Sequence, residues 1–149
     1  MRRLTYYSVL AILIGFVLSC GKDKLETKPS LKLKGTSGNH VAQGQQFFII
    51  YFDYADKEGD IDSLWVKKIR HNERQITTIR DSFWITLPSL QVPKSEGEME
   101  IRLNEEEYVA AVSPNGEPDS LTFKFVLKDK AGNTSDTVNL PDIIIDRGQ

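Results

Sequence analysis

Asp53, Asp56, Glu58, Asp60 and Asp62 set five carboxylates within the stretch FDYADKEGDID. A hard cation such as calcium takes six to eight oxygens, often from carboxylates in one loop. Asp53, Asp56, Asp60 and Asp62 are therefore candidate ligands, and calcium is the one candidate cofactor. The spacing does not follow the EF-hand loop: Gly59 stands in the wrong place and no glutamate closes the motif. The competing reading is a solvated turn, with Asp side chains bonding nearby amides and Gly59 in a special backbone conformation. The residues alone favour that turn and predict no resolvable effect of calcium on melting.

Trp65 and Trp84 are the second chemical feature. Flat rings stack on sugar faces, and exposed tryptophan does so well. Trp65 lies between Leu64 and Val66, and Trp84 between Phe83 and Ile85. In a strand, successive side chains take opposite faces. Each trio must therefore divide, and at least one large ring is expected outside the core. Against a ligand role, a tryptophan on a central strand is often core in an immunoglobulin-like sandwich. Catalytic signals are weaker. His40 sits in TSGNHVAQG, a loop-like stretch, and His71 in KKIRHNER, a charged strand end. No G-x-S-x-G, H-E-x-x-H or phosphate-binding glycine loop occurs, and an enzyme is not expected.

The elements that must position these residues read as strands. SLKLKG alternates, QQFFIIYFDY suits a strand buried on both faces or the centre of a sheet, and DSLWVKKIRHN, SFWITL and EMEIRLNE follow. LNEEEYVAAV could make one or two helical turns, but with Tyr108, Val109 and Val112 its EYVAAV part reads rather as a further strand; SLTFKFVLKD places four apolar residues on one face, and TSDTVNLPDIIID closes the chain. Turn signals separate them at DKEGD, SPNGEPDS and DKAGNTS. The pattern predicts an all-β, antiparallel sandwich of about seven or eight strands.

Two segments carry a resemblance. FDYADKEGDIDSLWV is similar to the junction of two strands in bacterial immunoglobulin-like and polycystic-kidney-disease-like domains. FVLKDKAGNTSDTVNL resembles the last hairpin of such domains. The resemblance implies a scaffold for adhesion, spacing or ligand presentation, with function set by sites and not by the fold.

Arg2 and Arg3 precede the uncharged run VLAILIGFVL, which is too short to span a bilayer and suits a signal peptide. Val17-Leu18-Ser19-Cys20 resembles the lipobox of bacterial lipoproteins. That implies a signal peptide over 1–19, a lipidated N-terminus and tether over 20–29, and the sandwich over 30–149. Gly21 instead of aspartate after the cysteine implies the outer membrane of a Gram-negative cell, with acyl chains on Cys20 as the anchor. Cys20 is the only cysteine, so no disulfide framework or thiolate metal site is available.

Removing Arg2 and Arg3 from 19 basic residues leaves 17 against 21 acidic ones, a formal charge of −4. No basic stripe rises above this background, and nucleic acid is not an expected partner. The expected role is non-catalytic binding or structural support in an envelope complex. The alternative is a carbohydrate- or protein-binding accessory of nutrient uptake, and an unrecognised hydrolase is third. A flat apolar patch on one sheet would mark a protein partner, and exposed aromatics near loop tips a glycan.

Overall fold

The structure is a computed structural model that describes residues 28–73, 80–89, 93–109 and 117–146. The expected signal segment, Cys20 and the expected tether up to residue 27 lie outside these, as do Asn115 and Gly116 of the SPNGEPDS turn signal.

Period-two burial marks the long strands. It is strictest in β7 (Asp119–Asp129), where every second residue from Asp119 to Asp129 is buried. The other strands are β1 (Ser30–Thr36), β2 (His40–Val41), β3 (Phe48–Ala55), β4 (Ile61–Arg70), β5 (Ser82–Thr86), β6 (Glu96–Leu103) and β8 (Val138–Ile145). They form two sheets, β1-β3-β6 and β2-β8-β7-β4-β5. The expected all-β sandwich is present. All pairings are antiparallel except β2 with β8, which is parallel.

Phenylalanines lock the sheets together. Phe52 of β3 meets Phe125 of β7 edge-on at 5.0 Å between ring centres, and Phe48 lies 5.8 Å from Phe123. All four rings are fully buried. Edge-to-face pairs add about 0.5–1.5 kcal/mol beyond area burial. The strands therefore face each other through rings in fixed register.

One expectation is narrowed and two are corrected. β3 takes the second of its two expected places, the centre of a sheet, and is buried on one face only: Phe48, Ile50, Phe52 and Tyr54 point inward, while Tyr51 is exposed. A three-stranded sheet with one outer face in water needs alternation, not a doubly buried run. The EYVAAV segment begins as a helical turn, α1 (Glu105–Tyr108), and not as strand. Asn104 Oδ1 accepts from the Glu107 amide, and the Glu107 carboxylate accepts from the Asn104 amide. This reciprocal capping box satisfies two amides that a helix start leaves unpaired, and Tyr108 then plugs the core, its hydroxyl donating to the Gln45 carbonyl at 2.7 Å. Finally, the loop-like stretch around His40 contains β2, which lies beside the closing strand.

Candidate functional site

β4 and β5 turn their tryptophans the same way. Leu64 and Val66 are fully buried, so Trp65 between them lies on the outer face. Phe83 is buried, and Trp84 beside it is 51% exposed. Register places Trp65 directly opposite Trp84, and Val126 of β7 opposite Trp65 on the other side. Directly opposed side chains have Cβ atoms about 4.5–5.5 Å apart. The two rings thus belong to one surface in mid-strand, away from the loop tips.

Lysines frame this surface. Lys67 and Lys124 are register partners on the same outer face, an arrangement that like-charge repulsion disfavours. The Lys128 ammonium lies 5.5 Å from the centre of the Trp84 ring, within cation–π range. Among the described residues, none of these three lysines forms an ion pair. The surface therefore combines an apolar ring, a partly covered second ring and uncompensated positive charge. Sequence reasoning found the tryptophans and missed the lysines, because their convergence depends on the β4–β7 register.

The acidic turn divides. Asp56 and Asp60 come together, and Asp129 from the end of β7 joins them, with one carboxylate oxygen of each within 4.8 Å of the others. Asp53 lies elsewhere, on β3 opposite Lys32 and Glu98 and 3.8 Å from the Lys34 ammonium. Asp62 is not part of the cluster; its carbonyl accepts from the Leu87 amide. Asp56 is 2% exposed, and its Oδ2 accepts from the Asp60 amide at 2.8 Å. Burial, with the neighbouring Asp60 and Asp129 charges, pushes the Asp56 carboxyl above its ordinary range. Asp129 is also 2% exposed, and its two oxygens accept from the backbone and side-chain amides of Asn133, each at 2.7 Å.

Sequence reasoning missed Asp129 as a partner. Its signal was the D-x-A-G-N turn, but only pairing of Ile61 with Asp129 brings that turn to Asp60. The histidines make local contacts. His40 Nε2 lies 2.9 Å from Asp146, and His71 Nε2 lies 2.8 Å from the Thr122 hydroxyl.

The open strands β5 and β6 flank a cleft of about 350 Å³, lined by Ile61, Ile85, Leu87, Met99 and Ile101 with Tyr54. These are largely apolar walls. Among the described residues, no helix is long and apolar enough to cross a membrane. The chain matches no protein-family model, and no curated protein is significantly similar to it.

Proposed function

We propose that this chain is a non-catalytic binding module of the cell envelope, tethered to the outer membrane by lipid on Cys20. It presents the outer face of its five-stranded sheet to a protein partner. The observation that supports the reading is Trp84, half exposed and directly opposite Trp65. Covering apolar surface is worth about 25 cal/mol per Å², so a ring left in water beside a second ring is a natural anchor. Tryptophan is enriched among the residues that carry interface binding energy, and charge complementarity around it steers the right partner into place. Opposed Lys67 and Lys124 favour a partner with acidic groups, because such groups would relieve their mutual repulsion.

A second reading is glycan binding, favoured by the exposed Trp84 ring with the Lys128 ammonium beside it. The mid-strand position makes the surface flat, which suits a protein better than a sugar edge. The test is purification of the full-length chain from native membranes, comparing wild type with Trp84→Ala. A specific co-purifying protein should fall at least tenfold in the variant. Full retention contradicts the reading, and glycan-array binding lost in Trp84→Ala supports the second one instead. The tether makes its own prediction: Cys20→Ala should move the protein out of the membrane fraction, and retention there would contradict lipidation.

A further inference from the structure

The junction between the two sheets brings three carboxylates together. Asp56 ends the strand-to-turn passage after β3 in one sheet, and Asp60 precedes β4 in the other. Asp129 terminates β7, next to β4. Among the described residues, no lysine, arginine or histidine forms an ion pair with any of the three. Isolated buried carboxylates are costly unless something compensates the charge.

Two oxygens are left unsatisfied. Asp56 Oδ1 and Asp60 Oδ1 are both buried and have no hydrogen-bond partner. Asp56 is the decisive case, because its whole side chain is sequestered and its other oxygen is already held by the Asp60 amide. Buried acceptors normally find a partner, and each exception calls for an explanation such as an ion. The spacing fits one. Calcium–oxygen distances of about 2.3–2.6 Å put ligands on opposite sides of the ion about 5 Å apart, and the three oxygens here lie within 4.8 Å of one another.

We propose that Asp56, Asp60 and Asp129 bind a single hard divalent cation, calcium by preference. The donor set is all carboxylate, without the nitrogen or sulfur that selects softer metals. Magnesium keeps most of its water and demands strict octahedral geometry, whereas calcium accepts irregular oxygen cages. Water or backbone carbonyls complete the shell. Gly59 shapes the turn between the first two ligands: it has φ +66° and its amide donates to the Asp56 carbonyl at 3.0 Å. Asn133 orients the third by holding both Asp129 oxygens. The ion would clamp the turn joining the sheets to the base of the β7–β8 hairpin. The site stands on the fold and is independent of the tryptophan surface.

The test uses the full-length chain in detergent, stripped of metal, with calcium chloride and magnesium chloride as the probes at matched ionic strength. Calorimetry should show one calcium site with Kd on the order of 10⁻⁴–10⁻³ M, typical of extracellular modules. At 5 mM calcium the melting temperature should rise by about 3–7 °C, and magnesium at the same concentration should do less. The rise should vanish in Asp129→Asn and in the half-buried Asp60→Asn, and persist in Glu106→Gln. Should Asp129→Asn fail to fold, Asp60→Asn alone carries the comparison. No binding heat and no shift in the wild type would overturn the proposal, as would an undiminished shift in Asp60→Asn. Melting that is indifferent to calcium but rises on acidification toward pH 5 would also overturn it, showing that a shared proton replaces the ion.

Discussion

Two side chains separate surface function from stability at the scale of the residue. Trp84 is half exposed on an outer face, so Trp84→Ala should change unfolding free energy by about 0.5 kcal/mol or less, as surface substitutions usually do. A urea titration checks this. A larger loss would mean that the ring is a structural element of its sheet and not a free anchor. Lys68 is the opposite case. It is 4% exposed, and its ammonium donates to the Val109 carbonyl at 2.6 Å and lies 5.7 Å from the Phe83 ring. Burial, aided by repulsion from Arg80, lowers its pKa to about 8, and attraction to Asp81, Glu107 and Asp119 only partly opposes this. Between pH 8 and 10 the folded chain has shed a proton that the unfolded chain still holds. The unfolded state then binds more protons, so stability should rise with pH across that window. Lys68→Met should flatten the rise, which chemical denaturation at pH 7, 8, 9 and 10 would measure. An unchanged slope in the variant would contradict the assignment.

Among the elements, the β3–β4 turn is tightly constrained. Gly59 has φ +66°, and a Cβ there would lie 2.8 Å from the Lys94 backbone nitrogen. Gly59→Ala should cost about 2 kcal/mol or more, combining left-handed strain with a backbone clash. A shift in urea midpoint at constant m would show it, and a neutral variant would mean the turn relaxes freely. The core predicts a larger effect: Phe52→Ala should cost about 3–5 kcal/mol, since its ring is fully buried against Phe125. These elements also show what was legible in the residue order. Alternation at Leu121, Phe123, Phe125 and Leu127 declared β7 and its inward face directly. The Phe83–Trp84 pair declared that one ring must face out. The short β2 could not be read, because two residues carry no periodicity and exist as strand only through pairing with β8. The α1 turn carried a readable signal, Asn104 followed three residues later by Glu107, which the β-branched and aromatic residues after it obscured.

At the scale of the whole molecule, the same division holds for the sites. Local sequence proposes chemistry, and register assembles it. Asp56 and Asp60 share a turn and were visible as neighbours, whereas Asp129 reaches them only because β4 pairs with β7 from Ile61 to Arg70. Lys124 and Lys128 join the tryptophans by that same pairing. The sandwich therefore has two outer faces of different character. One carries Trp84, Trp65 and three lysines, and the other carries Tyr51, 38% exposed, among charged neighbours such as Glu100, its register partner. A module that binds through one sheet should distinguish these faces. The most direct measurement places an aromatic photo-crosslinking residue, which keeps a ring, at position 84 or at position 51 of the full-length chain in its native cells. Position 84 should yield a discrete adduct, weakened severalfold when Lys67 and Lys128 are both changed to Glu, while position 51 yields little. Equal adducts from both positions, or none from position 84, would contradict the claim that the tryptophan sheet is the contact surface.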